Sequence, residues 1–212
     1  MRPGASASTF ARVPRRPPIN PLGYYHVGSR GCYGRTLFNT IAQHEVFLRM
    51  YGRTARKYGW ETPGWALVTN HHHFVVRLTE GGLSEGMREL HGGYSRWIHA
   101  LYGQTRQGHL FRHAFFAREL TSEADVLVTC CYVDLNLSAA AEHTQPPEQA
   151  KWCGYRATIG LEHPRPFHTP SILLELIAPR PAAAQAAYRA LVHERLALRT
   201  HDPSPNDWVQ RG

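Results

Sequence analysis

The chain reads as an α/β protein, because short β-type runs alternate along it with stretches of helical periodicity. The clearest helical stripe is Leu83, Met87, Leu90, Tyr94, Trp97, Ile98 and Leu101, spaced by threes and fours. The clearest strands are Gly64 to Val68 and His71 to Leu78, separated only by Thr69-Asn70, a turn-forming pair. At 212 residues, 42% hydrophobic and 19% charged, the chain is long enough to bury a real core. No apolar run approaches the roughly 18 residues that cross a bilayer. The start of the chain has no apolar signal core, so the expected location is the cytoplasm and no membrane partner is expected.

Taken in order, residues 1–20 are rich in proline and arginine, contain no acid and lack apolar periodicity, which reads as a disordered basic arm. Tyr24-Tyr25-His26-Val27 predicts a short strand ending before the glycines at 28 and 31. Ile41, Phe47, Leu48, Tyr51 and Tyr58 predict a helix over roughly 40–58, followed by the strand pair. In the 83–101 helix, Ser84 stands near the start, and Gly92-Gly93 weakens the middle. A glycine-containing polar loop over 103–109 leads to a strand over 115–120. Ser122 then caps a helix whose first turn holds Glu123 and Asp125, where the helix dipole favours acids. That helix carries Tyr132 and Asn136. Beyond Ala141 the chain is irregular and proline-rich until a last helix near 181–197. The organisation is an arm over 1–20, a folded unit over 21–160 and a helical extension over 161–212.

A net charge of +8 suits a polyanionic partner such as nucleic acid, and equally a solubilising surface. Nearly all the positive charge is arginine, which fits phosphate recognition but also codon bias. Cys32, Cys130, Cys131 and Cys153 lack zinc-knuckle spacing and are expected as reduced thiols.

The chemistry is concentrated in two segments. In Asn70-His71-His72-His73, strand pleating sends His71 and His73 to one face and His72 to the other. Two imidazoles on one face make half of a metal site. In Tyr132-Val133-Asp134-Leu135-Asn136, helical geometry stacks Tyr132 and Asn136 one turn apart. Should strand and helix meet, a phenol would stand beside a metal held by two imidazoles and an amide oxygen. Tyrosine is a poor nucleophile at its ordinary pKa of about 10. It suits a reaction that keeps phosphodiester energy in a covalent link.

With these segments in their order, the stretch from Tyr25 to about Tyr155 resembles the IS200-like transposases, and within them the REP-associated tyrosine branch, single-tyrosine members of the His-hydrophobic-His superfamily. The likeness is carried by Tyr25-His26-Val27 with Ser29-Arg30-Gly31, by Asn70-His71-His72-His73 before Phe74-Val75-Val76, by Gly108-His109-Leu110-Phe111, by Tyr132 to Asn136, and by Trp152-Cys153-Gly154-Tyr155. It implies an antiparallel sheet flanked by helices. It also implies Tyr132 as nucleophile, His71, His73 and Asn136 as ligands of Mg²⁺ or Mn²⁺, and single-stranded or hairpin DNA as partner, with the chain a monomer or homodimer. The implied product is a 5′-phosphotyrosine, later resolved by a 3′-hydroxyl. The sequence departs from the pattern at Leu137 (usually Pro), Asp134 (often His) and His113-Ala114-Phe115-Phe116 (usually Gly-Arg-Phe-Lys). The last change removes two cations; Arg112 and Arg118, with Arg30, are the candidates for contacting DNA phosphates. Two other activities suit the same residues: a catalytically silent single-strand or hairpin binder, and a hydrolytic nuclease in which His71 and His73 activate water.

Overall fold

Four strands pair in the order β2-β3-β1-β4, all antiparallel: β1 Tyr24–Arg30, β2 Trp60–Val68, β3 His71–Leu78 and β4 Phe116–Leu120. The computed structural model describes residues 19–103, 108–112, 115–139 and 146–201; most of the expected basic arm and the positions of His113 and Ala114 lie outside them. The helices are α1 Ile41–Lys57, α2 Leu83–Tyr102, α3 Glu123–Asp134, α4 Asn136–Ala139, α5 Tyr155–Thr158, α6 Pro170–Glu175 and α7 Pro181–His201. This is the α/β arrangement of an antiparallel sheet flanked by helices.

The period of two along each strand divides the side chains between two cores. Tyr25, Val27, Trp65, Leu67, Phe74 and Val76 face one way, onto α1 and α2, through Phe47, Tyr51, Met87 and Tyr94. Tyr51 stacks flat on Phe74 with ring centroids 3.7 Å apart. The opposite face carries Ala66, Val68, Val75 and Leu120, packed by Val126, Cys130 and Val133 of α3. Leu173 of α6 and Ala184, Tyr188 and Val192 of α7 complete that second core. The C-terminal helices therefore pack behind the helix that carries Tyr132.

Local signals explain the element ends. Thr40 and Gln43 form a capping box at the start of α1, and Ser122 accepts from the Asp125 N–H at the start of α3. Ser84 does not cap α2; Gly82, in a left-handed conformation, takes that place. Three elements differ from the sequence expectation. β1 does not stop at Gly28 but runs to Arg30, because Gly28 lets neighbouring strands close in: a Cβ there would lie 2.4 Å from the His72 carbonyl oxygen and 2.5 Å from the Phe116 ring. β2 begins at Trp60 and tolerates Pro63 because it is an edge strand, with a register irregularity between Glu61 and Gly64. Bridges to Cys153 and His168 cover part of that edge. The helix expected to continue through Asn136 instead ends at Asp134, and a short turn restarts at Asn136. There the Asn136 side-chain N–H donates to the Tyr132 carbonyl at 2.8 Å, competing with the backbone ladder. Gly92 and Gly93 meet no backbone that would forbid a side chain, and nothing in the structure explains the pair.

Replacing Gly28 with Ala forces a methyl group against the β3 backbone. Chemical denaturation of Gly28→Ala is expected to show a loss of about 1–3 kcal/mol, the usual cost of overpacking.

Candidate active site

The site is built on the sheet face that meets α3. Antiparallel pairing sets Gly28 opposite His73 and Arg30 opposite His71, so His26, Arg30, His71 and His73 share that face. The rings of His71 and His73 lie 4.9 Å apart, centroid to centroid. His72 points to the other core, where its Nε2 lies 2.9 Å from that of His91. Gly28 has no side chain to intervene, and His26 Nε2 comes within 3.1 Å of His73 Nδ1.

From the helix side, Tyr132 lies over this row. Its ring centroid is 5.9 Å from those of both His73 and His26, each in an edge-on arrangement. Asn136, one turn on, stands within hydrogen-bonding reach of the His71 ring. The structure thus brings the histidine pair, the tyrosine and the amide to one place. Phe116, where relatives tend to have lysine, packs against His26 at 5.1 Å and His73 at 5.9 Å, forming an apolar wall.

Burial sets the electrostatics. His71 is pushed down to about 4, first by desolvation and then by the nearby Arg30 charge, with the Asn136 bond pulling the other way. His26 is pushed down to about 3 by desolvation and by Arg118. His73 is held well below the ordinary value, chiefly by burial. Near neutral pH these imidazoles are uncharged and keep a lone pair. His71 Nδ1 sits 2.7 Å from Asn70 Oδ1, an acceptor only, so the ring proton is on Nδ1 and the lone pair of the neutral ring is on Nε2. The Asn136 amide nitrogen donates to the Tyr132 carbonyl, leaving its oxygen as the remaining donor atom. Neutral nitrogens and an amide oxygen suit a divalent cation. Among the described residues no three His, Cys, Asp or Glu side chains converge on a metal-sized site.

Two contributors were named in the sequence only as parts of the family likeness, without a role in the site. His26 orients His73; its signal was a histidine inside a strand, in the same parity as Arg30. The other is Asp134, fully buried, whose carboxylate accepts from the Tyr188 hydroxyl of α7 at 2.7 Å. Burial raises Asp134 to about 7, and the Tyr188 bond offsets part of that. Only partners remote in sequence make that position intelligible. Of the candidate DNA-contacting arginines, Arg30 and Arg112 lie side by side, the Arg112 backbone N–H donating to the Arg30 carbonyl at 2.8 Å. Arg118 is exposed and donates to Thr129 of α3 at 3.0 Å, so part of its guanidinium is already engaged within the fold. Leu137, where relatives have proline, is buried in the second core.

A family model described as "Transposase IS200 like" matches residues 21–136, more than half of the chain. The chain belongs to the IS200-like transposase family. Its fold matches a solved structure of the REP-associated tyrosine transposase bound to a REP hairpin, with a TM-score of 0.61 and 12% sequence identity. That match covers 74% of this chain and 92% of the other. No curated protein sequence matches the chain. The family model ends at Asn136, so α5, α6 and α7 lie beyond it while supplying part of the core behind Tyr132.

Two measurements test this electrostatic picture. In the unfolded chain imidazoles take up protons below about 6.5, whereas His26 does so only near 3, and His71 and His168 near 4. Their stabilisation is complete above 6.5 and is lost as pH falls toward those folded values. Asp134 has the opposite sign: its folded value of about 7 exceeds its unfolded 3.8, so its contribution is lost as pH rises through that range. Three histidines outweigh one carboxyl, and the denaturation midpoint is expected to fall between pH 7.5 and pH 5. A Tyr188→Phe variant removes a buried bond to Asp134 and is expected to cost about 1–3 kcal/mol by the same assay.

Proposed function

We propose that this protein cleaves and rejoins single-stranded DNA beside a hairpin, through a covalent 5′-phosphotyrosine on Tyr132. The observation that carries this reading is the convergence of Tyr132 on the face holding His71, His73 and Asn136. Family membership supports a DNA-processing enzyme, and the fold neighbour was solved with a hairpin. His71, His73 and Asn136 would hold a divalent ion, Mg²⁺ or Mn²⁺ as the family resemblance implies. When bound, it would supply positive charge to the oxygens of the scissile phosphate.

The chain's own residues do the rest. The Tyr132 oxygen attacks phosphorus and the bond to the 3′-oxygen breaks; the proton lost by the phenol is matched by the one the 3′-oxygen takes up, leaving a 3′-hydroxyl on the released strand. The new phosphotyrosine retains the energy of the original diester, so attack by another 3′-hydroxyl rejoins strands without ATP. The apolar wall of Phe116 limits water around the reacting group, which favours transfer over hydrolysis. His26 holds the His73 ring, Asn70 holds that of His71, and Asn136 ties its own position to the Tyr132 backbone. Arg30, Arg112 and Arg118 contact phosphates of the strand. A reaction on DNA fits the cytoplasmic location expected from the sequence. Among the described residues no helix is long and apolar enough to cross a membrane.

Incubation with end-labelled hairpin oligonucleotides and Mn²⁺, followed by denaturing electrophoresis, tests this directly. A protein–DNA adduct formed by the wild type and absent with Tyr132→Phe is the expected result. Cleavage that persists in Tyr132→Phe would identify a hydrolytic nuclease, and binding without either product a silent hairpin binder. Calorimetric titration with Mn²⁺ gives an independent readout: His71→Ala is expected to weaken binding at least tenfold, without any DNA present.

A further inference from the structure

Beside the histidine row the chain makes a turn with unusual chemistry. Gly31-Cys32-Tyr33-Gly34-Arg35 leaves the end of β1, and the Arg35 N–H donates back to the Cys32 carbonyl at 3.0 Å. The two central residues, Tyr33 and Gly34, both have positive φ, 52° and 71°. Such mirror-image turns belong to glycine, asparagine and aspartate; an aromatic residue there holds a strained backbone. Tyr33 is the only non-glycine residue with positive φ among the described residues. Its side chain gains nothing from packing to offset the strain, being 97% exposed. A strained residue kept at a site without packing benefit points to a ligand.

The surroundings indicate which. Tyr33 lines a cavity of about 480 Å³ with Arg30, Cys32, Gly34 and Arg112. Among the described residues no carboxylate pairs with either arginine, and the Arg30 Nε is buried without a hydrogen-bond partner. Arg30 stands opposite His71 in the sheet register, so this cavity opens beside the metal-binding pair. Arg112 also borders a larger cavity of about 640 Å³ that includes Arg88 and His109, extending the basic surface away from the site. An exposed aromatic face in one cavity with two adjacent arginines matches the requirements of an unpaired nucleotide: a ring to stack on and cations for its phosphates. The hydroxyl of Tyr33 is not needed for this; the ring is.

We infer that Tyr33 is a stacking platform for an unpaired base next to the scissile phosphate, with the adjacent Arg30 and Arg112 holding the phosphates of that nucleotide. The inference rests on the proposed DNA-processing function, because it names a subsite of the same strand path. The strain gives it a discriminating test. Tyr33→Gly relieves the backbone and removes the platform, so its melting temperature stays equal or rises while affinity for a labelled oligothymidine strand, measured by fluorescence anisotropy, falls about five- to a hundredfold. Tyr33→Phe keeps wild-type affinity. Wild-type affinity in Tyr33→Gly overturns the inference, as does a wild-type protein that fails to bind the strand. A loss of affinity that accompanies a lowered melting temperature in Tyr33→Gly and is shared by Tyr33→Phe also overturns it. The covalent assay is read separately. Adduct formation alongside unchanged binding by Tyr33→Gly sinks only the platform, whereas Tyr33-dependent binding without any adduct sinks only the strand-transfer reading.

Discussion

The pairing register of β1 with β3 is the constraint on which the site depends. Side chains alternate faces along a strand, so a slip of one residue would turn His71 and His73 into the core beneath α1 and α2 and bring His72 to the tyrosine. Several contacts forbid that slip. His72 is held by His91 and by the aromatic cluster of Phe47, Phe74 and Phe111, while Phe74 is locked flat against Tyr51. On the other face, Gly28 opposite His73 leaves the gap through which His26 reaches it. The bystander histidine is therefore an anchor: by burying itself on one side, it fixes its two neighbours on the other.

The second requirement is that α3, which carries Tyr132, be held over this face. Val126, Cys130 and Val133 pack α3 on the sheet, and α6 and α7 close over them from behind. The Asp134–Tyr188 bond lies within that contact, two residues from Tyr132. A buried carboxyl is costly to keep, and removing its partner costs more than replacing both groups would. The arrangement binds a C-terminal element outside the family's matched segment to the placement of Tyr132. Desolvation acts in the same direction across the site. It keeps the histidines uncharged, which suits them to a cation and leaves arginines, Arg30 and Arg118 among them, as nearby positive charges.

Much of this was legible in the residues. The α2 stripe, the β2–β3 hairpin and the Ser122 cap are local signals, governed by periodicity and capping, and they correspond to observed elements. The parity argument for His71 against His72 needed only the pleat. What escaped were features decided by distant partners or by the conformation of the folded backbone. β1 runs past Gly28 because Phe116 and the β3 backbone approach it there. The break at Leu135 arises from a side-chain bond competing with the helix, and the role of Asp134 is visible only with Tyr188, 54 residues later, in place. Tyr33 carried no signal beyond being an aromatic before a glycine; its left-handed backbone and exposure are properties of the folded turn.

The central claim is that one sheet face and one helix together form a metal-assisted phosphodiester site. Anomalous diffraction from crystals soaked in Mn²⁺ tests it most directly. The account predicts a single strong peak within ligand distance of His71 Nε2, an imidazole nitrogen of His73 and the Asn136 side-chain oxygen, with the Tyr132 hydroxyl turned toward it. A peak bound elsewhere, or full Mn²⁺ occupancy unaffected by His73→Ala, would contradict it.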